Sequence, residues 1–133
     1  MIEEGVLVTC NGCFDSLHPG HLFFLGFCRG QGSRLIVGIN TDEYIISKKR
    51  PLPVPQNQRA IDLMNLRFIE KVEIFSESDP REFIIRNYPG IHCIGEEYKD
   101  TAIELGTCKR LGVRVVFVPR IGTWSSTALR EKQ

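Results

Sequence analysis

The sequence lacks an excess of either charge: 17 Lys+Arg face 16 Asp+Glu, a formal net charge of +1. That balance excludes a general polyanion binder and an acidic tail. Intrinsic disorder is not expected either, because 42% of the residues are hydrophobic. No run approaches the roughly 18 apolar residues of a membrane span. The opening Met1-Ile2-Glu3-Glu4 lacks the basic start of a signal peptide. Internal repeats and low-complexity tracts are absent, and nothing marks a second domain. The expectation is a single domain over residues 1–133 with a real core, in which any charge specialisation is local.

The cysteines also lack a pattern. There are 5, an odd number, at Cys10, Cys13, Cys28, Cys93 and Cys108, so a disulfide framework is not expected and a reducing cytoplasm is the default. Cys10 and Cys13 form a C-x-x-C, and with His18 and His21 they could be drawn as zinc ligands. The spacing is not that of a zinc finger, and there is no second C-x-x-C to complete a metal site. The simpler reading ends a buried strand at Cys10 and puts Cys13 in a tight loop. No metal ligand is assigned.

What is present alternates. Val6–Cys10 reads as a strand closed by the turn pair Asn11-Gly12. Pro19 suits the first turn of a helix whose apolar stretch Leu22–Phe27 is stopped by Gly30 and Gly32. Arg34–Asn40 is apolar on both faces, the mark of a buried parallel strand. Lys48-Lys49-Arg50 and prolines at 51, 53 and 55 make Thr41–Gln56 an irregular loop. Helical spacing predicts a helix over Asn57–Arg67, then a strand at Lys71–Phe75 and a helix at Pro80–Asn87. A strand at Ile91–Gly95, a helix at Thr101–Leu111 and a strand at Val113–Val118 follow. Ser125 or Ser126 would cap a last helix running to Lys132. Strands alternating with helices predict a doubly wound, Rossmann-like α/β sheet of about five parallel strands with helices on both faces. Ligands of such sheets bind beyond the carboxyl ends of the strands, which singles out the loops Asn11–Gly20, Thr41–Gln56, Glu96–Asp100 and Arg120–Thr127.

The first of these loops carries the most chemistry. Gly12 lets the backbone turn close to a ligand. His18 and His21 flank Pro19-Gly20 at a helix start, where exposed amides and the helix dipole favour phosphate. Two imidazoles there could donate to phosphoryl oxygens as charge builds up during phosphoryl transfer. The plainer alternative is that His18 caps a turn and His21 is a partly buried helix residue.

Gly12-Cys13-Phe14-Asp15 followed by His18-Pro19-Gly20-His21 resembles the HxGH signature of the cytidylyltransferase-like nucleotidyltransferases. Trp124-Ser125-Ser126-Thr127 is similar to the Ser/Thr-rich helix start that forms that family's second signature. The resemblance spans nearly the whole chain. It implies an enzyme that binds a nucleoside triphosphate (CTP or ATP) with Mg²⁺, on which a phosphorylated sugar or polyol attacks the α-phosphorus and releases pyrophosphate. By that likeness His18 and His21 stabilise charge around the α-phosphate, assisted by Lys48 and Lys49 on a closing loop. Gly12, Cys13, Phe14, Gly20, Arg120, Trp124, Ser125, Ser126 and Thr127 would contact the nucleotide, Trp124 either packing on the base or plugging the sheet end. Arg50 and Arg59 would meet the acceptor's phosphate. Arg130 could do so too, or serve only a helix dipole.

Two branches of the family share the markers. Asn11-Gly12-Cys13-Phe14-Asp15, Asn40-Thr41-Asp42 and Ser78-Asp79-Pro80-Arg81-Glu82 resemble the adenylyltransferase domain of ADP-heptose synthases. Pro119-Arg120, Ile94 and the Asn40-to-Arg59 spacing resemble glycerol-3-phosphate cytidylyltransferase. Asp15 and Asp42 read as loop-shaping acceptors of backbone hydrogen bonds. Glu96 and Glu97 could hold Mg²⁺ or a substrate hydroxyl, or simply form a polar loop. A homodimer is expected by family likeness, and neither nucleic acid nor membrane is expected as a partner. The alternative function is a catalytically silent nucleotide-binding regulatory module, against which the intact His18, His21 and Ser/Thr cluster argue.

Overall fold

The computed structural model describes residues 5–47, 54–76 and 79–120. Five strands, β1 (Leu7–Gly12), β2 (Arg34–Asn40), β3 (Lys71–Phe75), β4 (Ile91–Gly95) and β5 (Arg114–Val118), form one sheet in the order β3-β2-β1-β4-β5. Every pairing is parallel. The helices are α1 (Pro19–Arg29), α2 (Asp42–Ser47), α3 (Gln56–Met64), α4 (Arg81–Asn87) and α5 (Leu105–Leu111). This is the doubly wound, Rossmann-like α/β fold that the alternating pattern predicts.

The two faces are covered by different helices. On one, Leu25 and Cys28 of α1 and Leu63 of α3 pack against Val8, Cys10, Val37 and Cys93. On the other, Phe83 and Ile84 of α4 and Cys108 of α5 pack against Ile36 and Phe75. The interior strand β2, flanked by β3 and β1, is buried along all but its first residue, which is why its sequence is apolar on both faces. Gly38 of β2 gives Phe83 its seat: a Cβ there would lie 3.0 Å from the Phe83 ring.

Register explains where the sheet opens. β1 pairs with β2 along its whole length, from Leu7↔Arg34 to Gly12↔Ile39. Its pairing with β4 is confined to Val8↔Ile91 and Thr9↔His92. Beyond Thr9 the two strands part, at the point where the chain's winding reverses direction, and a crevice forms there.

Three local expectations change. Asn11-Gly12 continues β1 instead of ending it, so Cys10 lies within the strand, fully buried. The segment after β2 begins with a short helix, α2, because the Thr41 hydroxyl accepts from the Tyr44 N–H (3.2 Å) and Asp42 and Glu43 occupy its first turn. The expected helix Thr101–Leu111 shortens to α5. Upstream, a 3₁₀ turn at Glu96–Tyr98 and bonds from Thr101 N and Ala102 N to Tyr98 O commit the backbone to tight turns. The expected last helix, with Trp124, Ser125, Ser126, Thr127 and Arg130, lies outside the described residues, as do Lys48, Lys49 and Arg50. Among the described residues no helix is long and apolar enough to cross a membrane.

Candidate active site

The loop after β1 is set by a residue in an unfavourable conformation. Phe14 has φ 48°, in the left-handed region that side chains other than glycine rarely adopt. This turns its ring inward, where it is 7% exposed and meets His21 edge-on at a centroid distance of 5.3 Å. The ring also passes so close to Gly12 that a Cβ there would lie 2.9 Å from Phe14 Cε2. Gly12 therefore accommodates the aromatic ring that meets His21 as well as the turn.

His18 is the N-cap of α1, with extended backbone at φ −138° and ψ 172°. Its Nδ1 accepts from the N–H groups of Gly20 (3.1 Å) and His21 (3.3 Å), and Pro19 at the first helical position has no N–H to satisfy. A ring nitrogen that accepts carries no proton, so the neutral imidazole bears its N–H on Nε2. Thus the plainer reading of His18 as a cap holds for Nδ1, while Nε2 is left as a donor. The His18 and His21 rings stack at 3.7 Å, 22° from parallel. His18 Nε2 and His21 Nδ1 are buried and find no partner among the described residues. Buried polar atoms are nearly always satisfied, and both of these belong to cavity-lining residues.

Neither ring favours its charged form. Burial lowers the pKa of His18. For His21, burial and then the neighbouring His18 charge lower it to about 4, against a small opposing effect of the Ser16 carbonyl. A bound triphosphate would raise both again, since nearby negative charge favours the protonated ring. In the free protein, between its ordinary value of 6.5 and about 4, the unfolded chain binds a proton on His21 that the folded chain refuses. Stability is therefore lost as pH falls through that window. We expect His21→Asn to lose less of its urea midpoint than the parent between about pH 7 and pH 4. Equal losses in the two proteins would show that His21 is not a source of the acid sensitivity.

The crevice is a cavity of about 820 Å³ at the carboxyl ends of the strands. Of the residues expected at the nucleotide or the chemistry, Gly12, Cys13, Phe14, His18, Gly20, His21 and Arg120 all line it. Arg120 stands exposed at its rim, where its N–H donates to Glu96 Oε1 (3.1 Å) and its guanidinium pairs with Glu97 at 3.5 Å. Glu96 and Glu97 accordingly shape this rim. The Cys13 thiol lies 3.7 Å from Asn40 Oδ1.

Arg59 requires a correction. Expected at the acceptor's phosphate, it is 1% exposed and committed to the protein. Its Nε donates to Val54 O (2.8 Å), one terminal nitrogen donates to Cys13 O (2.9 Å), and the other pairs with Asp42 at 2.7 Å. Asp42 also accepts from Gln56 N (3.1 Å), and Asp15 accepts from Val54 N (2.8 Å). Both aspartates thus play the expected loop-shaping role, and Arg59 is the tie that joins the loops after β1 and β2 to the start of α3.

Sequence reasoning missed several residues that line the same cavity, among them Tyr44, Tyr98 and Glu104. Glu104 stood inside the longer helix expected at Thr101–Leu111, where a lone acid reads as surface. The one available signal was its buried partner His92, a polar residue in an otherwise apolar strand.

A parallel sheet with stacked histidines at the first helix start, beside a cavity at the switch point, defines a Rossmann-like nucleotidyltransferase site. Comparison with known proteins agrees. Residues 9–132 match the family described as cytidylyltransferase-like. The bifunctional protein HldE of Mesorhizobium japonicum is 37% identical over 129 residues, which cover 94% of this chain and 26% of that protein. HldE of Vibrio atlanticus is 40% identical over 105 residues, 77% of this chain and 22% of that one. The chain thus spans about a quarter of the length of these relatives. The lipopolysaccharide core biosynthesis protein from Thermoplasma volcanium superposes with a TM-score of 0.73 at 25% identity, over 90% of this chain and 98% of that one. Pantoate-β-alanine ligase from Francisella tularensis, 13% identical with a TM-score of 0.66 over 94% of this chain and 65% of that one, shares the fold. The chain belongs to the cytidylyltransferase-like family, and with it to the nucleotidyltransferases.

Proposed function

We propose that the chain transfers a nucleotidyl group, CMP or AMP, from a nucleoside triphosphate to a phosphorylated sugar. The observation that carries this reading is the His18–His21 stack: an Nε2–H donor without a partner among the described residues, on a ring held by its own helix cap, belongs to a residue that lines the cavity together with Gly20 and His21 of the first turn of α1. An oxygen of the acceptor's phosphate attacks the α-phosphorus, the bond to the β-phosphate's bridging oxygen breaks, and pyrophosphate leaves. His18 Nε2–H donates to the oxygens on which negative charge grows, and the α1 amides and dipole stabilise the same charge. Because the donor is preorganised by Gly20 and His21 N–H, it needs no rearrangement as the reaction proceeds.

Mg²⁺ enters in this reading as part of the substrate, carried on the triphosphate. Among the described residues no group of three His, Cys, Asp or Glu side chains is arranged to hold a metal. Lys48, Lys49 and Arg50 are the cations proposed to close over the phosphates, and with Arg59 committed elsewhere they are also the proposed partners of the acceptor's phosphate. The likeness to HldE and to a lipopolysaccharide core protein favours a sugar acceptor of the heptose 1-phosphate type over a polyol such as glycerol 3-phosphate.

The test is pyrophosphate release with Mg²⁺, assayed with CTP and ATP against heptose 1-phosphate and glycerol 3-phosphate. Release with a sugar phosphate is the expected result. Release with glycerol 3-phosphate alone would move the acceptor to the polyol branch. Tight triphosphate binding without release from any pair would make the chain a nucleotide-binding module.

A further inference from the structure

Glu104 is the single acidic side chain buried among the described residues, 7% exposed, and it lines the cavity. It is held from behind by a chain of polar groups crossing the sheet. Thr9 and His92 are register partners on β1 and β4, both fully buried. Thr9 Oγ1 lies 2.8 Å from His92 Nδ1, and His92 Nε2 lies 3.2 Å from Glu104 Oε2. A carboxylate only accepts, so the ring proton belongs on Nε2 and the Thr9 hydroxyl donates to Nδ1. Every donor in the chain is then spent toward Glu104, whose second oxygen retains its capacity to accept.

Burying a carboxylate is costly, and a neutral imidazole offsets only part of the cost. A buried acceptor kept at a cavity wall calls for a ligand that donates. The surrounding wall says which part of the ligand: Ile94 and Val118, near the ends of β4 and β5, with Ala102 and Ile103 in the turn before α5, give the wall beside Glu104 an apolar stretch, and the charged Glu97 and Arg120 stand at the rim. A flat aromatic base fits such a wall, and a triphosphate beside a carboxylate does not. The polar positions Asn40, at the end of β2, and Tyr44, in α2 just after it, come from the segment on the other side of β1 from β4.

We propose that Glu104 reads the nucleobase by accepting a hydrogen bond from an exocyclic amine, and that His92 is the residue that positions it. The proposal deepens, and rests on, the nucleotidyltransferase reading above. It gives the site a preference for the amino bases cytosine and adenine over their carbonyl counterparts uracil and hypoxanthine, whose oxygen would face the carboxylate.

The test measures binding of CTP against UTP and of ATP against ITP, each with Mg²⁺, by calorimetry on the whole chain. The amino member of the preferred pair should bind at least about tenfold tighter, the range expected when a hydrogen bond to a charged group is lost. Glu104→Gln, which can turn an amide N–H toward the base, should bring that ratio to near one or invert it. His92→Leu should lower the same ratio, with its effect on turnover falling on KM. Unfolding midpoints identify any variant that fails to fold, and Glu104→Gln, nearly isosteric, keeps the question open to disproof if His92→Leu does not. Equal affinities within both pairs in the parent would overturn the proposal. So would a Glu104→Gln loss of the same size for amino and carbonyl bases, which would leave Glu104 a structural or sugar-hydroxyl contact. Because binding is read without turnover, pyrophosphate release with unchanged base selectivity would sink this inference alone. Selective binding without release would sink the catalytic reading alone.

Discussion

Replacing His18 with asparagine should lower kcat by about 100-fold or more while leaving the stability of α1 largely intact. The two nitrogens of this ring do different work. Nδ1 satisfies the Gly20 and His21 amides, which an asparagine carbonyl at the N-cap position can also accept. Nε2 has no partner among the described residues, and nothing in asparagine replaces a donor at that reach. His18→Ala should remove both functions and add a loss of about 1 kcal/mol for the missing cap. Comparing the two variants by steady-state kinetics and urea denaturation separates the roles. If His18→Asn turned over like the parent, the cap would be the whole function of His18.

The largest stability effect is expected at Arg59. Arg59→Leu should reduce the unfolding free energy by about 2–4 kcal/mol, because it strips Asp42 of its partner and leaves the Val54 and Cys13 carbonyls unmet. The lower part of that range is favoured, since the Asp42 side chain is 33% exposed and water takes up some of the loss. Arg59→Lys should rescue little: a single ammonium cannot reproduce a fork reaching Val54, Cys13 and Asp42 together. Activity should fall as well, since Cys13 leads into Phe14 and Phe14 supports His21. Denaturation curves paired with KM for the acceptor decide the matter. A raised acceptor KM with unchanged stability would return Arg59 to the phosphate-binding role that its position in the sequence suggests.

The contrast between His18 and Arg59 shows what the sequence makes legible. His18, His21 and Gly12 stand within ten residues of one another, so the chemistry of their loop is local, and a helix start written as Pro19-Gly20 tells where the histidines sit. Arg59 is read as a cation in a cationic stretch, because its partners Cys13 and Asp42 are 46 and 17 residues away. Only folding brings a carboxylate and two carbonyls around it and turns a ligand candidate into a tie. Glu104 fails in the opposite direction: its partner His92 lies on another element, and no local pattern marks a buried acid. The Thr9–His92 link spans 83 residues and exists only because β1 and β4 become neighbours in the sheet.

By itself, then, the sequence determined the alternation of strands and helices, the two-sided burial of Arg34–Asn40 and the histidine loop with its family. These follow from local periodicity, from turn residues and from groups that act within one helical turn. The tertiary structure alone decided where the sheet opens, through a register that stops β1 and β4 pairing at Thr9 and His92. It also decided which charges are exposed to a substrate and which are consumed by the fold. Near-neutral composition conceals that division, because a charge's role depends on the partners that distant segments deliver to it.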